Sequence, residues 1–121
     1  MEQAQAINAI RAERQRQIAV EGWTREHDEG HEDGTLLRAA VFYYQHGARK
    51  DFPLTMDANG APVGWPWEPQ WWKPKTPERD LVRAGALCLA EKERLRNLQR
   101  RTKHVDGKLD MIVNALCNLK D

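Results

Sequence analysis

Long apolar runs are missing from this 121-residue chain, and no stretch approaches the length needed to span a bilayer. The first residues, rich in Gln, Ala and Arg, lack the apolar core of a signal peptide. Cysteine is scarce: Cys88 and Cys117 both fall on apolar helical patterns, which predicts buried thiols rather than a disulfide and a reducing, cytoplasmic setting. No repeat, low-complexity tract, glycine-rich phosphate loop or Ser/His/Asp order occurs, so several familiar catalytic classes have no footing here. Proline is absent until Pro53, and all six prolines then fall by Pro77. Net charge is nearly absent too, at +1.

That balance hides a polarity. Six acids and one Arg lie between Glu21 and Asp33, whereas Glu91 to Lys108 holds seven Lys/Arg against three acids. A general nucleic-acid binder would spread positive charge over a whole face, so that function is not expected. The length suits one domain. Charged residues at 31%, a hydrophobic share of 40% and a mean hydropathy of −0.79 predict well-solvated helices, or an oligomer whose chains share a core.

Residues 2–20 hold no Gly or Pro and consist mainly of good helix formers. Ala6, Ile7, Ile10 and Ile18 give this helix a thin apolar stripe, interrupted by Arg14. Glu13 and Gln17, four apart, are neighbours one turn beyond Ile10, so Glu13 either points into a site or is solvated among Arg11, Arg14 and Arg16. Residues 35–46 read as a core helix closed by Gly47. From Ala48 to Pro77 the prolines and the turn signal Asp57-Ala58-Asn59-Gly60 exclude regular elements of ordinary length. Thr76-Pro77 starts the next helix with a cap and a first-position proline. Apart from Arg83 its run from Leu81 to Ala90 is apolar all round, and Ala84, Gly85 and Ala86 admit a close neighbour. Asp106-Gly107 is expected to break or bend the chain before a final amphipathic helix carrying Leu109, Ile112, Val113, Leu116 and Leu119. The expected organisation is a helical domain over residues 1–105, including loop 48–77, and a C-terminal helix over 106–121. That helix reads as an oligomer contact, with docking on its own domain as the alternative.

Two stretches attract function. Glu26-His27-Asp28-Glu29-Gly30-His31-Glu32-Asp33 packs five carboxylates and two imidazoles into eight residues, a density that a cation or polar ligand would offset. Its carboxylate-rich, thiol-free composition suits Mg²⁺ or Mn²⁺, and its two His admit a softer ion. If the acids only line a helix start, they favour the positive end of its dipole. Trp65 to Lys75 holds four of the five Trp, as a stiff flap that plugs a thin core or as a lid with rings on a base and Lys73 and Lys75 on phosphates. Trp23 reads more readily as a packing anchor.

The span from about Glu13 to Leu95 resembles the phage and prophage proteins grouped with the MazG-type nucleoside triphosphate pyrophosphohydrolases. The resemblance is carried by Glu-Arg-Gln-Arg-Gln at 13–17, Glu-Gly-Trp-Thr at 21–24, His27-Asp28 with His31 and Gly34, Trp65-Pro66-Trp67, Trp71-Trp72-Lys73-Pro74, and the run from Arg79 to Leu87. It implies an all-α bundle of four or five helices with a long Trp/Pro loop, oligomeric, encoded by a phage and working in the cytoplasm of a bacterial host. It also implies cleavage of a nucleoside triphosphate to monophosphate and pyrophosphate with Mg²⁺ (or Mn²⁺), which neutralises phosphate charge and activates water. Carried over, Glu29, Glu32 and Asp80 would hold the metal, and Glu13 or Asp28 would complete the shell or activate water. Lys73 and Arg83 would meet phosphates, Trp72 or Trp23 would stack on the base, and His27 and His31 would be further nucleotide contacts. Thr35 and Arg83 stand where that pattern has acids, which raises a second expectation: a protein that binds a signalling nucleotide without cutting it and so counters host defence. A third is a protein-interaction module acting through the Trp loop and the last helix.

Overall fold

A computed structural model describes residues 1–21, 34–49 and 51–119, in which four α-helices and no strand form an all-α fold. Helix α1 (Gln3–Glu21) buries Ala6 and Ile10, and the same stripe continues as Glu13, Arg14 and Gln17. Arg14 therefore does not interrupt the buried face. It is 2% exposed, and its Nη2 donates to Glu93 at 2.8 Å, so the charge enters the interior paired.

Helix α2 (Thr35–Ala48) buries Leu36, Ala39, Ala40, Tyr43 and Gly47. Gly47 does not close it, because the helix runs one residue further. A Cβ at Gly47 would lie 2.9 Å from the carbonyl oxygen of Pro77, so the glycine lets the start of the next helix approach.

The loop that follows has one short 3₁₀ turn, Pro69–Trp71, and an isolated bridge between Met56 and Pro62. The Asp57 carboxylate accepts from the backbone N–H groups of Asn59 and Ala61, with Gly60 at φ +85°, as the turn signal predicts. The tryptophans mostly plug the core. Trp72 lies 4.7 Å from Tyr43 and 5.1 Å from Trp65 between ring centroids, and Trp67 packs on Trp65; Trp71 stays half exposed.

Helix α3 (Pro77–Asn97) is the central element and packs on each of the other described helices. Thr76 Oγ1 accepts from Arg79 N–H at 3.2 Å, and Pro77 fills the first turn. Gly85 meets α1 so closely that a Cβ would fall 2.5 Å from Ile10 Cδ1. Within the charged second half, Glu91 and Arg94 form a buried pair at 2.6 Å, while Leu98 beyond the helix is exposed. Burial, with the Glu91 charge adding, pushes the Cys88 thiol up to about 12.

The chain breaks at 98–102, where Gln99 has φ +57°, and not at Asp106-Gly107. That pair lies in the first turn of α4 (Lys103–Cys117), where Asp106 accepts from Thr102 Oγ1 and pairs with Lys92 at 2.7 Å. Helix α4 buries Val105, Ile112 and Leu116 against α3 and α1, so its apolar face docks on its own chain. Cys117 is half-buried and Cys88 buried, and both are free. Among the described residues no helix is long and apolar enough to cross a membrane.

Candidate functional site

The Thr76-Pro77 cap fixes the register of α3, which sets Arg79, Asp80 and Arg83 within its first two turns. Arg79 and Arg83, four apart, project from one face. Segment 73–75 leads into that cap, and its two lysines come with it. Together Arg16, Lys73, Lys75, Arg79, Asp80 and Arg83 line a pocket of about 330 Å³. Five cations and one carboxylate thus face a single small volume, and such a field attracts anions.

Each cation is placed by a specific contact. Glu13, buried on α1, takes two bonds from Arg16, at 2.8 and 2.7 Å, and one from Arg79 at 3.1 Å, which ties α1 to the start of α3. Burial pushes the Glu13 carboxyl up, but the Arg16 hydrogen bonds and the charges of Arg16, Arg79 and Arg83 outweigh it and hold the group below its usual range. The hydroxyl of buried Tyr43 accepts from Lys73 N–H at 2.9 Å and from Arg83 Nη1 at 3.3 Å, and donates to the Trp71 carbonyl at 3.3 Å. It thereby fixes both the lysine strap and one guanidinium, which also lies 5.4 Å from its ring centre. The Lys73 ammonium sits 5.1 Å from the ring centre of Trp71.

Asp80 is 1% exposed, and both its oxygens are engaged: Oδ1 accepts from Lys75 N–H at 2.7 Å and Oδ2 lies 2.6 Å from His46 Nδ1. With Asp80 so committed and five cations lining the same pocket, the described residues there do not present the acid-rich donor set that Mg²⁺ or Mn²⁺ requires. Among the described residues no group of three His, Cys, Asp or Glu is placed to hold a metal. Glu29 and Glu32, the other expected ligands, lie outside the described residues, as do Trp23, His27, Asp28 and His31.

Of the expected site residues, Glu13, Lys73, Asp80 and Arg83 come together. Trp72 is close in sequence but does not line this pocket: the residue is nine-tenths buried, with its ring against Tyr43 and Trp65. Arg16, Arg79 and Tyr43 had no role in the sequence reading, and Lys75 entered it only through the lid. The four-residue spacing of Arg79 and Arg83 after the cap is the signal that could have found one of them. The chain matches no family model, no curated protein and no solved structure.

Proposed function

We propose that this protein binds the phosphate groups of a nucleotide in the pocket lined by Arg16, Lys73, Lys75, Arg79 and Arg83, and holds the nucleotide without cleaving it. The convergence of five cations on one small pocket carries this reading. Arginine forks give directional, charge-assisted bonds to phosphate oxygens and the lysines add charge; Asp80 and Glu13 shape the wall. Such a protein would sequester a signalling nucleotide, the second of the expectations, which Thr35 and Arg83 raise. Incubation with a panel of nucleotides and Mg²⁺, followed by ion-exchange chromatography of denatured and undenatured samples, tests it. Intact nucleotide released on denaturation is the expected result.

The pyrophosphohydrolase reading has one observation in its favour: of two acids to which the resemblance gives roles, Asp80 lines the pocket and Glu13 borders it through Arg16 and Arg79. It predicts monophosphate and pyrophosphate in both samples. The homo-oligomer expected from the sequence would use the half-buried Leu109 and Val113 of α4 and Leu119 just beyond its end, and light scattering on the purified protein tests it.

A further inference from the structure

A second cleft, of about 710 Å³, lies on the other side of segment 72–75. The segment alternates: Lys73 and Lys75 line the cationic pocket, whereas Trp72 and Pro74 line this cleft with Phe52, Leu54, Met56 and His46. Its walls are apolar and aromatic, and Phe52 and Met56 are 59% and 45% exposed at its edge. Two polar side chains here are already committed. Gln45 gives its amide N–H to the Phe52 carbonyl at 2.9 Å, and Arg49 pairs with Asp51 at 3.3 Å.

His46 differs. Its Nδ1 lies 2.6 Å from Oδ2 of buried Asp80, whose other oxygen already accepts the Lys75 N–H. An ionised carboxylate only accepts, so Nδ1 must carry the proton, and in the neutral ring Nε2 is left with its lone pair. The ring stands edge-on to Trp72, 5.6 Å between centroids, and is 42% exposed. Nε2 has no hydrogen-bond partner among the described residues, the ring's own geometry directs it away from the Asp80 contact of Nδ1, and His46 is one of the residues that line the cleft.

We propose that this cleft is a second binding site, for a planar aromatic ring bearing an N–H donor, which packs among the apolar walls and gives its hydrogen bond to His46 Nε2. Asp80 is the positioning residue, because it fixes the tautomer and orientation of the imidazole. The proposal does not depend on phosphate binding in the cationic pocket, which faces the other side of the segment.

The test uses a matched pair of probes, indole and 1-methylindole, titrated into ¹⁵N-labelled full-length protein while the His46 imidazole resonances are followed by NMR. The expected results are an Nδ1–H tautomer in the free protein, saturable shifts of the His46 signals with indole, and binding of 1-methylindole about tenfold weaker, the scale of one lost hydrogen bond. His46→Phe, which keeps a ring against Trp72, should remove the preference between the probes. An Nε2–H tautomer, equal affinity for the two probes, or no movement of the His46 signals would overturn the proposal, and none of these readouts requires the variant to fold.

Discussion

Glu13 and Arg79, 66 positions apart in the chain, meet at 3.1 Å where α1 crosses the start of α3. The same carboxylate holds Arg16 at 2.7 Å, so one buried acid restrains two of the five cations that line the pocket. Glu13 is therefore part of the pocket's frame and competes with any anion for those two guanidinium groups.

Replacing Glu13 with Gln keeps the side-chain shape and removes the charge. Because Arg79 is half exposed, the loss of stability is expected to stay modest, about 1–2 kcal/mol by thermal unfolding. Anion affinity is expected to rise severalfold, since Arg16 and Arg79 are released toward the ligand. A pyrophosphohydrolase that uses Glu13 would instead lose turnover, so calorimetry and product analysis on this one variant separate the two readings.

The depressed Glu13 pKa gives a pH signature. Its contribution to stability is complete above the ordinary glutamate value, about 4.3, and is lost as the pH falls through the lowered value of the folded protein. The gap in melting temperature between the wild type and Glu13→Gln should be constant near neutrality and shrink below about pH 4. A gap that widened on acidification would mean that Glu13 is not held ionised by its arginines.

Arg83 is braced by Tyr43 and lines the pocket, whereas Lys75 is held by its backbone N–H and its ammonium has no partner among the described residues. Arg83→Ala is expected to weaken binding of pyrophosphate about tenfold or more, the cost of a charge-assisted bond, and Lys75→Ala by less. Tyr43→Phe should weaken binding through misplacement of Arg83 and Lys73. All these affinities should fall steeply with added salt.

Much of the frame was legible because its causes are local. Thr76-Pro77 and the Asp57 to Gly60 turn each act within a few positions of themselves, and each appears where the sequence puts it; the small residues at 84–86 announced a close neighbour but not that it would be Ile10. Arg14 was misread as an interruption because its partner, Glu93, lies 79 positions away, beyond the reach of periodicity. Asp106-Gly107 was misread as a break: Gly107 costs its helix about 1 kcal/mol, yet no Cβ is needed there, and the burial of Val105 and Ile112 holds the first turns together. The site was half legible. Lys73, Asp80 and Arg83 were visible through the resemblance, but the role of Arg16 and Arg79 depends on how α1 crosses α3, which no local pattern encodes.

That crossing makes its own prediction. Gly85→Ala would gain helix propensity, yet its methyl would overlap Ile10 at 2.5–2.6 Å. The expected net loss is about 1–3 kcal/mol, the usual cost of overpacking. The double variant with Ile10→Ala should be more stable than the sum of the two single effects predicts. Full additivity in denaturant melts would show that α1 does not rest on Gly85.

The most direct test of the account is a calorimetric titration of nucleoside triphosphate into the protein in the presence of EDTA, with chromatography of the cell contents afterwards. Saturable binding without divalent metal, with the triphosphate recovered intact and the affinity greatly reduced in an Arg79→Ala, Arg83→Ala double variant, is the predicted result. Binding that requires Mg²⁺ and leaves monophosphate and pyrophosphate in the cell would contradict it.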